Sequence, residues 1–64
     1  MPIERFAQIQ AALTRSRDRD EVLRHFGVEP QTWQAVAGTM STALTASESL
    51  RSRYEDPYRR AMQG

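Results

Sequence analysis

The chain has 64 residues, which is enough for one domain, and folding of so short a chain buries only about 60% of the unfolded surface. It has no cysteine, which excludes an internal disulfide or a thiolate metal site. Nine arginines against eight acidic residues leave a net charge of +1, and this balance does not indicate nucleic acid or an anionic membrane. Without a signal-peptide pattern or about 20 consecutive apolar residues, we expect a cytoplasmic protein with no membrane span.

Residues 2–16 are predicted to form the first helix. Pro2 suits a first helical position because its missing N–H would have no partner there. Apolar residues then recur at steps of three and four, which places them on one face of a helix: Ile3, Phe6, Ile9 and Leu13.

Residues 19–26 are predicted to form a short second helix. Asp18 or Asp20 is expected to cap its first turn by accepting a backbone N–H. Gly27 is expected to end the helix, because glycine adopts the left-handed conformation at little cost.

The predicted third helix, residues 30–44, has an unusual composition. No charged side chain occurs from Pro30 to Ser47, although 27% of the chain is charged. One face is apolar, with Trp33, Val36, Ala37, Met40, Ala43 and Leu44. The opposite face consists almost entirely of small residues: Ala35, Gly38, Thr39, Thr42 and Ala46.

A surface helix normally carries charged residues on its wet side. The uncharged segment therefore predicts either the central helix of a bundle or a helix with a second packing partner. The first or fourth helix could cover the small face, or another protein could do so. Glycine within a helix costs about 1 kcal/mol relative to alanine. A close packing contact at Gly38 would offset this cost, so we expect one there.

Residues 47–62 are predicted to form a fourth helix, with Thr45 and Glu48 as a capping box. Pro57 predicts either a kink or a break after which Asp56 caps a new short turn. The apolar side is expected to contain Leu50, Tyr54, Tyr58 and Met62. The predicted fold is thus one all-α domain over 1–64, a small bundle of three main helices plus a C-terminal helix broken or kinked near Pro57.

Two patterns raise the question of nucleic-acid binding. Residues 21–36 resemble a helix-turn-helix, in which Gln31, Thr32 and Gln34 would contact DNA. The would-be recognition helix has no arginine or lysine for phosphates, which favours two packed helices without DNA. The C-terminal arginines and tyrosines could similarly bind single-stranded RNA, but an amphipathic helix with packed tyrosines explains them better: Arg51, Arg53, Tyr54, Tyr58, Arg59 and Arg60.

No pattern of residues indicates catalysis or a bound cofactor. His25 is the single histidine, and the carboxylates show no metal-ligand spacing around it. Serines and threonines are frequent, but none lies in a nucleophile motif or a glycine-rich phosphate loop. We therefore expect a protein that is not an enzyme and has no cofactor and no metal.

The order of these features is similar to that of small helical domains in bacterial proteins of uncharacterised function. The likeness runs through the Phe6–Leu13 stripe, the Asp20–Leu23 segment, Gly27, Trp33 and the Leu50, Tyr54, Tyr58 series. The resemblance implies a small accessory or adaptor-like bacterial protein, with no catalytic residues to transfer.

The function predicted from the sequence is a protein-interaction module that docks through the third helix and the tyrosine-bearing fourth helix. The predicted interaction residues are Ala35, Gly38, Thr39, Thr42, Tyr54 and Tyr58. The partner would be another protein or a second copy of the chain. A DNA-binding helix-turn-helix is the alternative, and a substrate or carrier peptide for a larger enzyme is a third possibility.

Overall fold

The computed structural model describes residues 1–63, so residue 64 of the predicted domain lies outside the described residues. Four helices follow one another with short connections: α1 (Ile3–Arg15), α2 (Arg19–His25), α3 (Pro30–Ala46) and α4 (Glu48–Gln63). The predicted all-α bundle is confirmed, and the predicted helix boundaries agree within two residues.

Helix α1 is the central element of the bundle. It supplies five of the seven buried hydrophobic residues among those described, and three of its side chains, Ala7, Ile9 and Ala11, are fully inaccessible. The apolar stripe predicted from the sequence accounts for this position, because it gives α1 a wide face for its neighbours to cover. The alternative that α3 is the central helix is therefore wrong.

Helices α1 and α4 pack along their lengths and run in the same direction. Near their starts, Glu4 pairs with Arg53 at 3.8 Å, and near their ends the Arg15 guanidinium donates to the Ala61 carbonyl at 2.8 Å. Parallel helices bring their partially negative C-terminal ends together. The cation of Arg15 lies at this shared end and satisfies one of the carbonyls that α4 leaves unpaired.

Helix α2 is capped at both ends by residues that directly flank it. The Asp18 carboxylate accepts the Glu21 N–H at 3.1 Å, which selects Asp18 over Asp20 as the cap. Gly27 adopts a φ of +71°, and the Val28 N–H reaches the Leu23 carbonyl at 2.8 Å. This is the glycine-terminated helix end predicted from the sequence.

Helix α3 has one buried side chain, Trp33, which lies in its first turn. Trp33 is only 2% exposed and stacks on Phe6 of α1, with 5.0 Å between ring centroids. Its predicted apolar face is confirmed, because further side chains on it are half-buried against the core: Val36, Ala37, Met40 and Leu44.

The junction between α3 and α4 differs from the prediction. Helix α3 continues through Thr45 to Ala46, and the Thr45 hydroxyl donates to the Ser41 carbonyl at 2.9 Å. Ser47 begins the next helix instead, since its hydroxyl accepts the Leu50 N–H at 3.2 Å. The predicted capping box of Thr45 and Glu48 is wrong because a threonine inside a helix can bond its own preceding turn.

Helix α4 passes through Pro57 without interruption. The prediction of a break with a new turn capped by Asp56 is therefore wrong. Pro57 contributes no N–H, so one intrahelical hydrogen bond is missing at this point. Contacts with α1 on both sides of Pro57, from Tyr54 and from the Ala61 carbonyl, hold the helix across the defect.

Candidate protein-interaction surface

The small residues of α3 lie on the outside of the bundle. We call them the α3 outer face: Ala35, Gly38, Thr39, Thr42 and Ala46, all of which are exposed. The flanking polar side chains Gln31, Gln34 and Ser41 are exposed as well. Neither α1 nor α4 covers this face, so the alternative that one of them packs there is wrong. Within its own chain, α3 is covered on one side only.

The hydroxyl groups on this side of α3 already have hydrogen-bond partners. Thr39 donates to the Ala35 carbonyl and Thr42 to the Gly38 carbonyl, each at 3.1 Å. Thr45 at the same side makes the equivalent bond to Ser41. A partner that covers these threonines would therefore bury hydroxyl donors that remain paired, which avoids the penalty for an unmade hydrogen bond.

Gly38 has no packing role inside the chain. It lies in the middle of α3, and a Cβ built on it would meet no atom within 4 Å. It is helical rather than left-handed, because the one glycine with positive φ in the described chain is Gly27. The helix therefore bears the cost of a glycine that its own fold does not require.

An apolar hollow borders the α3 outer face. It has a volume of about 240 Å³ and is lined by Met1, Ala35, Val36, Thr39 and Met40. Met1 is 44% exposed and is the one exposed large hydrophobic side chain among the described residues. The helical periodicity of the sequence does not predict this hollow, because it does not place Met1 beside α3.

The two tyrosines predicted as docking residues lie elsewhere, in the α1–α4 seam. Tyr54 packs on Phe6 with 5.8 Å between ring centroids and stacks on Tyr58 at 5.4 Å. The Tyr58 hydroxyl lies 3.4 Å from the Thr14 hydroxyl. Both side chains are half-buried, so their position favours the packing alternative over a part in docking or base stacking.

The acidity of the Tyr54 phenol is altered by its surroundings. Burial raises the pKa of its phenol above the usual value of 10.0, and the negative charge that Tyr58 acquires on ionisation raises it further. The raised pKa means that the aromatic seam favours the neutral phenol of Tyr54 over its ionised form.

A groove of about 900 Å³ lies along α1 and α4 and has arginine side chains on its walls. Arg15 donates to Ala61, Arg53 pairs with Glu4, and Arg60 pairs with Asp56 one turn earlier. Arg15 and Arg53 thus connect α1 and α4, whereas the exposed Arg60 pairs within α4. All three have a carbonyl or carboxylate partner, so they do not form an open cationic patch. The two pairings between helices were not predicted from the sequence, because they join residues far apart in the chain.

The residues of the helix-turn-helix alternative occupy the corner between α2 and α3. Gln31, Thr32 and Gln34 are exposed at the start of α3. The two bulky departures from the motif, Leu23 and Trp33, are each 2% exposed and fill the core beneath this corner. No cation follows the three polar residues along α3.

Among residues 1–63 the structure shows no fully buried polar side chain and no cluster of three potential metal ligands. Over the same residues, every helix is too short or too polar to cross a bilayer. Comparison with known proteins finds no matching family model, no matching curated protein and no matching solved structure.

Proposed function

We propose that this protein is a non-enzymatic interaction module, active in the bacterial cytoplasm, that docks onto a protein partner through the α3 outer face. The supporting observation is the combination of exposure and neutrality. From Pro30 to Ala46 there is no charged side chain, yet Ala35, Gly38, Thr39 and Thr42 all face solvent.

Neutrality lowers the cost of covering this surface. A charged side chain that loses its water without a partner costs several kcal/mol, and even a buried pair often only breaks even. Covering the α3 outer face desolvates no charged side chain. Its Thr39 and Thr42 hydroxyls keep their hydrogen bonds to carbonyls of α3 when they are buried in an interface. The other helices have acidic and basic residues along their exposed sides, so a partner there would have to match both signs.

Small side chains favour a helical partner. With no side chain at Gly38 and only short ones at Ala35 and Thr42, another backbone can approach closely. The hollow beside Met1 would receive an apolar side chain at the edge of the same contact. Both features suit a complementary helix better than a small polar ligand.

Site-directed photocrosslinking in cells that naturally produce the protein tests this proposal. A photoreactive residue at Thr39, on the α3 outer face, is expected to give an adduct of discrete mass. The matched control is Glu55, an exposed position on α4. Discrete adducts from position 39 but not from 55 would support the proposal, and equal or absent labelling at both would contradict it.

The helix-turn-helix alternative has one observation in its favour, the exposed Gln31, Thr32 and Gln34 after a glycine turn. DNA binding would depend on arginines outside α3, because that helix has none. A titration with duplex DNA at low ionic strength separates the two functions. Salt-dependent binding would favour the DNA reader, and no binding would eliminate it.

A further inference from the structure

We infer that the partner of the α3 outer face is a second copy of this chain, paired through α3 about a twofold axis near Gly38. This inference rests on the proposed function and adds the identity of the partner. Gly38 is the middle residue of Pro30–Ala46, so an axis there lets the two helices overlap along their whole length.

Charge is the first reason to choose a second copy. In a twofold interface the same patch meets itself, so every charged residue near the axis faces a like charge. Helix α3 has no charged residue over its seventeen positions, so self-pairing brings no like charges of this helix together. Helices α1, α2 and α4 each carry charges of both signs and lack this property.

The unexplained glycine is the second reason. Around a twofold axis at Gly38, the closest approach of the two helices falls on residue 38 of both chains. A side chain there would hold the helices apart, whereas glycine allows backbone contact. The open space around Gly38 within one chain is the space that the second helix would fill.

Surface area sets the expected strength. The chain exposes 4616 Å², about 10% more than the roughly 4,200 Å² expected for a monomer of its mass. A helix of 17 residues is about 25 Å long, and two such faces would bury on the order of 1,000 Å² in total. This is at or below the lower end of the area that specific interfaces bury, so we expect a weak dimer.

Sedimentation velocity over a range of protein concentrations tests the inference with two opposite charges at one position. Gly38→Glu and Gly38→Arg each place like charges across the axis, so each alone should raise the concentration at which the dimer forms by at least about tenfold. An equimolar mixture of the two variants pairs opposite charges and should recover the dimer. Ser52→Glu and Ser52→Arg, at an exposed site on α4, are the matched controls and should leave the dimer unchanged.

Circular dichroism verifies that the Gly38 variants are folded, which we expect because a Cβ at this site meets nothing. A wild-type chain that stays monomeric up to about 1 mM would overturn the inference, since useful self-association lies well below that concentration. A dimer insensitive to Gly38, or a mixture that fails to recover it, would overturn it as well.

The photocrosslinking experiment distinguishes this inference from the function on which it rests. Adducts from Thr39 at twice the mass of the chain support both. Adducts of any other mass support the interaction function and overturn the second-copy inference. Absent adducts contradict the proposed function itself.

Discussion

Helices α1 and α3 differ in the relation between charge and burial. Helix α1 includes Glu4, Arg5 and Arg15, yet it supplies most of the core. Helix α3 has no charged residue, yet Trp33 is its one buried side chain. The comparison shows that the periodicity of apolar residues, and not the absence of charged residues, determines which helix is central.

The largest expected effect is the loss of the contact that joins the two helices. Trp33→Ala removes the ring that stacks on Phe6 and should cost about 3–5 kcal/mol of unfolding free energy. A domain of this size has about 3–10 kcal/mol in total, so the variant should lose a large part of its stability. Thermal unfolding followed by circular dichroism measures this. A variant as stable as wild type would show that α3 is attached elsewhere.

The next largest loss of unfolding free energy is expected at a core position of α1, and it is compared with an inward position of α3. Ile9→Ala in α1 removes a fully inaccessible side chain and should cost about 2–5 kcal/mol. Met40→Ala in α3 removes a half-buried one and should cost about 1 kcal/mol, since part of its surface is already in water. Urea unfolding of both variants tests the order. Equal losses would contradict the central position of α1.

Replacing Gly27 and Gly38 by alanine should change the free energy of unfolding in opposite directions. Gly27→Ala places a side chain in the left-handed region and should destabilise the fold by about 1 kcal/mol. Gly38→Ala adds a better helix former in open space and should stabilise the isolated chain by about 0.5–1 kcal/mol. The measurement is urea unfolding at low protein concentration. Destabilisation by Gly38→Ala there would show that the chain itself packs on this site.

A similar effect is expected at the start of α2. Asp18→Ala removes the carboxylate that accepts the Glu21 N–H and should cost about 1 kcal/mol. Asp20→Ala is the control, because Asp20 lies inside the helix and does not cap it. Thermal unfolding at neutral pH compares the two. A larger loss for Asp20→Ala would reverse the assignment of the cap.

The smallest effect concerns the seam between α1 and α4 at high pH. The pKa of Tyr54 is raised in the folded state, so folding favours its neutral phenol. This contribution is fully present below the unfolded pKa of about 10 and is lost as the pH rises through the folded pKa. As the pH rises from 8 to 11, the midpoint temperature of thermal unfolding should fall for the wild type and should fall less for Tyr54→Phe. Identical pH profiles would contradict the raised pKa.

Local signals in the sequence were sufficient for the fold. The stripe from Ile3 to Leu13, the Asp18 cap and the Gly27 stop each act within one helix, and the structure contains all three. The break predicted at Pro57 was wrong because the helical conformation there depends on α1 contacts on both sides of the proline, which is tertiary information. The inward position of Tyr54 agrees with the packing alternative, which the helical spacing of the tyrosines had already favoured.

The candidate surface was only partly predictable for the same reason. The sequence identified the small face of α3 from composition, but a single sequence does not determine whether a neighbouring helix covers it. The hollow beside Met1 brings the chain start against the middle of α3, a juxtaposition that no local pattern encodes.

The account depends on the exposure of the α3 outer face in the isolated chain. NMR relaxation by a soluble paramagnetic agent, measured in dilute protein, tests this directly. We predict strong relaxation at the protons of Gly38 and Thr42 and weak relaxation at the side chains of Ile9 and Trp33. Protection of Gly38 and Thr42 equal to that of Ile9 would show that the chain covers this face itself, and would contradict the proposed docking surface.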